Sequence, residues 1–155
     1  MDTMRLQDTL SSHEGKAYAT IDGSNRELFE LSALSASINL VTIAKRMLGT
    51  RMTQHKVVGA EGTGSMTMHF ANSDMLRQTL NYLKTGRYRG LTLQVMNDDP
   101  ASTIGKQEVV LTNVIPTTIP VAYLDDSSDD PITFDTDITF DGIEGLSFFN
   151  LPDSL

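Results

Sequence analysis

Residues 49–70 read Gly49-Thr-Arg-Met-Thr-Gln-His-Lys-Val-Val-Gly-Ala-Glu-Gly-Thr-Gly64, followed by Ser65-Met-Thr-Met-His-Phe70. The part up to Gly64 combines four glycines with basic side chains, and it separates two segments whose residues alternate as in strands. A connection longer than about a dozen residues is uncommon in a compact domain and is generally either functional or disordered. We therefore predict that residues 49–64 form a long loop that becomes ordered against another molecule. Its glycines would serve as hinges and as positions of positive φ.

The segments on both sides of this stretch predict antiparallel strands. Apolar and polar residues alternate from Glu14 to Ile21, and Asp22-Gly23 is a hairpin-turn signal that leads to a second strand at 27–31. Residues 34–48 favour a long strand over the competing helix, because they are rich in Ser, Asn, Val, Thr and Ile. Further strands are predicted at 65–70, 90–97, 108–115 and 132–140.

One segment changes to the helical period. Ser73 is a suitable N-cap with Asp74 in the first turn, and Gly86 is a suitable C-cap. The apolar residues between them follow helical spacing: Met75, Leu76, Leu80, Tyr82 and Leu83. The predicted fold class is therefore mainly β, an antiparallel β-barrel or sandwich of about seven strands with one flanking α-helix.

Composition predicts a single domain over residues 1–155. A chain of 155 residues can bury a core without covalent staples, and the absence of cysteine excludes disulfides and thiolate metal sites. No apolar run approaches the roughly 20 residues that a membrane helix needs. Residues 1–10 are predicted to be an N-terminal arm and lack the pattern of a signal peptide. We therefore expect a soluble protein without a membrane partner.

The net charge of −8 is unevenly distributed along the chain. The acidic C-terminal segment, residues 122–155, contains nine acids and no Lys or Arg, whereas residues 1–121 hold twelve cations and eleven acids. This asymmetry permits head-to-tail contacts between copies, or it is simply a solubilising acidic edge. Asp135, Asp137 and Asp141 are predicted on one strand face, either as its solvent side or as an acidic partner for cations of another copy. Clustered cations for tight nucleic-acid binding are lacking.

The sequence contains no pattern typical of catalysis. His13, His55 and His69 lack metal-ligand spacing, and the glycines before Ser65 lack the Gly-Lys-Ser/Thr ending of a phosphate-binding loop. The carboxylates of Asp125-Asp-Ser-Ser-Asp-Asp130 do not have the spacing of an EF-hand, so an acidic solvated turn is the favoured interpretation. We expect no enzymatic activity, no metal site and no cofactor.

Several motifs point to a family when their order is considered. The most specific is Gly49-x-Arg51-Met52-Thr53-x-His55-Lys56-x-x-Gly59-Ala60-x-Gly62-Thr63-Gly64, followed by an alternating strand and a Ser/Asp-capped helix. Further matches are Lys84-x-Gly86, Leu91-Thr-Leu-Gln with Asp98-Asp99, Val109-Val-Leu-Thr-Asn, and Pro131-Ile-Thr-Phe134. With this order of motifs, the chain resembles the tail tube proteins of contractile-tailed phages, defective prophages and phage-tail-like bacteriocins. The segment Asp129–Phe149, with two Asp-rich repeats and Phe148-Phe149, departs from the family pattern.

The resemblance implies a structural protein of a virion tail or of a phage-tail-like particle. Hexameric rings of the chain would stack into a hollow tube inside a contractile sheath, with a continuous β-barrel around the lumen and the helix outside. The implied partners are other copies of the chain, the sheath protein, the baseplate hub, the tail terminator and the tape measure protein. DNA would pass during genome ejection without tight binding, or the tube would serve in membrane puncture. Assembly would take place in the host cytoplasm.

The resemblance also implies two sets of functional residues. Inter-subunit loop contacts would involve Gly49, Arg51, Met52, Thr53, His55, Lys56, Gly59, Gly62 and Gly64. Small polar side chains would face the lumen: Ser35, Ser37, Asn39, Ser65 and Thr67. Two alternatives stay open, a tube protein of a bacterial secretion system that exports effectors and a small ligand-binding β-sandwich.

Overall fold

A computed structural model describes residues 4–11, 14–21, 24–27, 31–71, 73–127 and 129–152. The described elements are a 3-10 helix (Leu6–Asp8), β1 (Gly15–Ile21), β2 (Ser24–Glu27), β3 (Leu31–Arg46), β4 (Thr53–His69), α1 (Asp74–Thr85), β5 (Leu91–Asp98), β6 (Lys106–Pro116), β7 (Thr133–Phe140) and β8 (Gly142–Ser147). The mainly β prediction with one α-helix is confirmed. The helix is too short and too polar to cross a membrane, and it is the longest in the described part of the chain.

The strands form two antiparallel sheets that share β6. One sheet has the order β2-β1-β5-β6-β8, and the other has the order β3-β4-β7-β6. Strand β6 pairs with β5 and β8 over most of its length and changes to β7 at Ile115 and Pro116. Asn113, just before this change, has a φ of 51°, a left-handed conformation that asparagine adopts more readily than most residues. Because of this bend, β6 can pair with strands of both sheets.

The core lies between the facing surfaces of the two sheets. The buried apolar residues come from five strands, β1, β4, β5, β6 and β7: Ala17, Ala19, Met66, Met68, Leu91, Leu93, Leu111, Val114, Phe134, Ile138 and Phe140. Each buried large apolar side chain contributes about 1.5–3 kcal/mol relative to exposure. The strict alternation in β7, where Phe134, Ile138 and Phe140 are buried and Asp135 and Asp137 exposed, is what the sequence predicts for a half-buried strand.

Helix α1 begins and ends where the sequence predicts. Gly86 adopts a φ of 74° and its N–H donates to the carbonyl of Tyr82 at 2.7 Å, which closes the helix. Ser73 occupies the N-cap position, but its side chain makes no capping hydrogen bond. The predicted apolar stripe is only partly buried, because Leu80 and Leu83 are exposed. The buried side chain of this helix is instead that of Gln78.

The structure modifies one further expectation, adds one strand, and leaves one predicted turn untested. The N-terminal arm is attached rather than free, because the buried Asp8 carboxylate accepts hydrogen bonds from the Thr103 hydroxyl at 2.7 Å and the Arg5 N–H at 2.9 Å. Strand β8 is not predicted from the sequence, yet it pairs with β6. The predicted turn at Asp22-Gly23 lies outside the described residues, between the paired strands β1 and β2.

Candidate functional site: a projecting hairpin and a polar sheet face

Strands β3 and β4 form a hairpin that extends beyond the sheet. They pair from Leu31 opposite Met68 to Arg46 opposite Thr53, with register shifts between Leu31 and Ala33 and between Val41 and Thr42. Strand β4 also pairs with β7, but only from Gly62 to His69. Residues 39–61 are therefore paired only with each other, and we call this part the distal ribbon. At about 3.3 Å per residue it projects about 25 Å from the point where β7 ends its support.

The prediction that residues 49–64 form a loop is wrong. Strand β4 begins at Thr53, and the connection between the strands is confined to residues 47–52. The glycine content also has a different cause from the one predicted. Of the glycines at 49, 59, 62 and 64, Gly49 alone has a positive φ, at 86°. Gly62 instead leaves room for the ring of Phe140, which a Cβ atom at that position would overlap.

The distal ribbon exposes apolar side chains on both of its faces. Cross-strand partners share a face, so Val41 and Ile43 lie on one side while Leu40 and Val57 lie on the other. The exposed large apolar residues of the ribbon are Leu40, Val41, Ile43, Met47, Leu48, Met52, Val57 and Val58. Leu48, at the turn, is fully exposed (103%). Such a concentration on one projection marks an interaction surface.

The predicted loop cations do not share one face. Register places Lys56 opposite Ile43 and His55 opposite Ala44, so these two side chains point to opposite sides of the ribbon. Arg51 lies in the turn between the strands. In the part of the chain that the structure describes, neither Arg51 nor Lys56 forms an ion pair. Any contacts that His55 and Lys56 make with other copies would therefore lie on opposite sides of the ribbon.

The structure brings together two residue sets that the sequence analysis treated separately. Register on β4 places Ser65 between Ser35 of β3 and Asp137 of β7, and it pairs Thr67 with Asp135. The Ser35 and Ser65 hydroxyl oxygens are 3.0 Å apart, and the Thr67 hydroxyl donates to the Asp135 carboxylate at 2.6 Å. The proposed lumen residues and the proposed acidic residues thus form one surface. We call it the polar face; it comprises Ser35, Ser37, Asn39, Thr63, Ser65, Thr67, Asp135, Asp137 and Thr139.

Hydrogen bonds fix the side chains of the polar face across the strands. The Asn39 amide donates to the Thr63 hydroxyl at 3.0 Å. The opposite side of the same three strands carries Met66, Met68 and Ile138, which are buried in the core. Asp141 is not part of the surface, because it lies one residue beyond β7 and its carboxylate accepts a hydrogen bond from the Asn113 amide.

The acidic segment contributes an exposed loop between β6 and β7. The Asp125 carboxylate accepts hydrogen bonds from the Ser127 hydroxyl at 2.6 Å and from its N–H at 3.0 Å, and these bonds lower the pKa of Asp125 below its ordinary value. Asp125 and Asp126 are both exposed. The loop therefore presents ionised carboxylates at neutral pH. No group of three or more metal-ligating side chains occurs among the described residues.

The sequence analysis missed a second basic surface, formed by Arg77 on α1 and by Arg87 and Arg89 directly after it. The sequence does contain the three arginines close together, because two follow the helix C-cap and a third lies on the helix. Their convergence depends on the way the chain folds back after Gly86, which local patterns do not give.

Three comparisons bear on the family of this chain. Residues 2–147 match a family model described as "Phage tail tube protein". "Phage-like element PBSX protein XkdM" of Bacillus subtilis (strain 168) is 32% identical over 149 residues, which cover 93% of this chain and 97% of that protein. The fold is also similar to a chain in the structure of the anti-feeding prophage tube terminating cap, with a TM-score of 0.69, 14% identity, and coverage of 95% of this chain and 97% of that one. A chain in the sheath-tube complex of an extracellular contractile injection system, PVC, gives a TM-score of 0.64 with 11% identity, over 92% and 95% of the two chains.

Proposed function

The chain belongs to the phage tail tube protein family, and from this premise we propose that it assembles into hexameric rings that stack as the hollow inner tube of a contractile injection particle. The observation that carries this proposal is the distal ribbon. A two-stranded hairpin is at best marginally stable in water when nothing packs on it. A ribbon of this length with exposed apolar residues on both faces is well suited to lie between neighbouring subunits.

The physical gain from such an arrangement has two sources. Burial of the exposed ribbon residues removes apolar surface from water at roughly 25 cal/mol per Å². Strand β3 is also an edge strand in the described structure, since it pairs with β4 alone. An unpaired edge leaves backbone N–H and C=O groups available to another chain. Contacts between subunits would bury the apolar side chains of the ribbon and also pair the free edge of β3. A closed barrel shared by a ring would remove that edge.

The polar face supports a lumen lining. Its side chains are short, and many of them are hydrogen-bonded to each other, so they leave a smooth wall without long flexible groups. It carries Asp135 and Asp137 and no Lys or Arg. Carboxylates repel phosphate, and a wall without cations avoids the ion pairs that make DNA binding tight. We therefore propose that this face lines the lumen and lets DNA pass.

The remaining partners are proposed from the particles in which similar chains occur. The similar chains occur in a sheath-tube complex and in a tube terminating cap. By analogy, this chain would contact a sheath protein along the tube and a baseplate hub and a terminator at its ends. Assembly would take place in the host cytoplasm.

Electron microscopy of the purified protein tests the proposal. We expect rings or tubes at high concentration, or when sheath and baseplate partners are supplied. Leu48→Asp should abolish tubes while leaving the subunit folded, because Leu48 is fully exposed in the isolated chain. Leu6→Asp is the matched control, since Leu6 is 88% exposed but lies outside the ribbon. A protein that stays monomeric under all these conditions would refute the tube function.

A further inference from the structure

A basic pocket lies between helix α1 and the segment that follows it. Its volume is about 560 Å³, and its lining consists of Arg77, Gln78, Asn81, Thr85, Arg87 and Arg89. Three of these six residues are arginines and none is acidic. Arg77 reaches Asp74 at 3.8 Å on the pocket's edge. Arg87 and Arg89 form no ion pair with any described residue.

Gln78 is the buried polar side chain in the lining of the pocket. Its side chain is almost completely buried (8% exposed), yet neither its amide nitrogen nor its amide oxygen has a hydrogen-bond partner in the described structure. A buried amide without partners is unfavourable, because the hydrogen bonds it made to water in the unfolded chain are not replaced. Buried polar groups in native proteins nearly always have partners, so the position calls for a group that enters from outside.

The chemistry of the lining defines that group. Guanidinium groups only donate hydrogen bonds, and they pair bidentately with a carboxylate or a phosphate. The Gln78 side chain needs acceptors for its amide N–H groups and a donor for its carbonyl oxygen. A peptide unit supplies both, whereas a fully ionised phosphate supplies acceptors only. The lining therefore matches an acidic polypeptide segment better than an inorganic anion.

We propose that this pocket binds the acidic loop of a second copy of the chain, with the carboxylates of Asp125 and Asp126 on Arg87 and Arg89. The loop is exposed, and no Lys or Arg occurs between Ala122 and Leu155. The pocket is lined by residues 77–89 alone, so the acidic loop of the same chain does not fill it. This contact rests on the proposed self-assembly and adds to it a site distant in sequence from the distal ribbon.

Cross-linking tests the contact directly, because the chain contains no cysteine. Two single variants, Asn81→Cys and Ser127→Cys, are mixed and oxidised, with one of them carrying a mass tag. We expect a disulfide-linked pair of one tagged and one untagged chain. A mixture of Asn81→Cys with Ser24→Cys, in which the second residue is exposed on β2, controls for random collision. A yield no higher than that of the control would overturn the proposal.

Charge reversal provides an independent readout. Arg89→Glu should raise the concentration needed for tube formation at least about tenfold, because it places like charges in the contact. Lys84→Glu is the matched control on α1, since Lys84 does not line the pocket. Adding Asp126→Arg to Arg89→Glu should restore assembly. Equal effects of Arg89→Glu and Lys84→Glu would contradict the pocket contact.

The two proposals fail in distinguishable ways. If the unmodified protein forms tubes but the cysteine mixture gives no specific cross-link, the pocket contact is wrong and the tube function stands. If no tubes form, the tube function is wrong, and the cross-linking yield in smaller oligomers still decides whether the pocket receives the loop.

Discussion

Gly62 marks the residue at which the supported part of β4 passes into the distal ribbon. Its cross-strand partner on β7 is Phe140, whose ring lies over the glycine and is 6% exposed. A Cβ atom at position 62 would overlap three ring atoms. Gly59 differs, because a Cβ atom there would meet only the Val41 Cβ at 3.8 Å, an ordinary contact distance. The two glycines of one strand therefore have separate structural roles.

This difference predicts unequal effects of the same substitution. Gly62→Ala should lower the free energy of unfolding by about 1–3 kcal/mol, since the ring of Phe140 is packed in the core and has little room to shift. Gly59→Ala should be neutral or stabilise by up to about 1 kcal/mol, because alanine restricts the unfolded chain. Urea unfolding of dilute subunits measures both. Similar losses for the two variants would show that Phe140 can move away.

The distal ribbon is the element with the least support in the isolated subunit. The whole ribbon is held by the β3–β4 ladder alone, whereas the rest of β4, residues 62–69, has a second strand, β7, beside it. Fixing the backbone costs about 1–2 kcal/mol per residue. Without packing on either face, the ribbon has little to offset this cost. The support from β7 begins at Gly62, so the local stability of β4 against unfolding should be higher after Gly62 than before it.

Hydrogen exchange can measure this change. In the dilute subunit, amides of residues 40–46 and 53–60 should exchange rapidly, and amides of residues 63–68 should be protected. In assembled tubes both sets should exchange slowly, because neighbours cover the ribbon. Strong protection of residues 40–46 in the dilute subunit would argue against a ribbon that depends on its neighbours.

The error in the sequence analysis of this element has a physical origin. Glycine-rich segments predict loops from local propensity, but strand formation depends on the partner strand. Here Gly59, Gly62 and Gly64 lie opposite Val41, Ile38 and Ala36, and the long β3 supplies the ladder. The strong alternation of β1, β5 and β7 made those strands predictable. Strand β8 has two glycines in six residues and lacks such a pattern, so only its pairing with β6 defines it.

The polar face illustrates the same limit for functional residues. Alternation alone assigned Ser35, Ser37 and Asn39 to one side of β3, and Asp135 and Asp137 to one side of β7. Whether the two sets meet depends on the register that β4 imposes between them, and no local pattern encodes that register. Sequence therefore predicted most members of the polar face, except Thr63 and Thr139, but it did not predict that the two sets form one surface.

At the scale of the whole molecule, acidic and basic side chains are concentrated in different segments of the chain. Acids predominate in residues 122–155, while the distal ribbon carries Lys45, Arg46, Arg51 and Lys56. Exposed ion pairs contribute only about 0–1 kcal/mol each. A tube would repeat each ion pair many times, so the small free energies of the pairs would add up along the tube. Assembly would then be sensitive to salt, which screens these pairs.

Arg51→Glu should therefore weaken tube formation at low salt far more than it lowers the free energy of unfolding of the subunit. Arg51 lies in an exposed turn without an ion pair to any described residue, so the subunit itself loses little. Lys16→Glu on β1 is the control, with the same charge change away from the ribbon. Sedimentation at low and high salt measures the effect. Normal polymerisation of Arg51→Glu at low salt would assign the ribbon contacts to its apolar residues alone.

If the distal ribbon is stabilised only by neighbouring subunits, it also determines when a tube can begin to form. In the proposed tube, the first ring would have to order its ribbons with no template beneath it, whereas each later ring would bind to an end where the ribbons already have a fixed shape. Growth from an existing end should then be fast and spontaneous initiation slow. The number of tubes in a cell would follow the number of initiating complexes rather than the abundance of the subunit, so a large pool of subunits could remain unpolymerised until an initiator is complete.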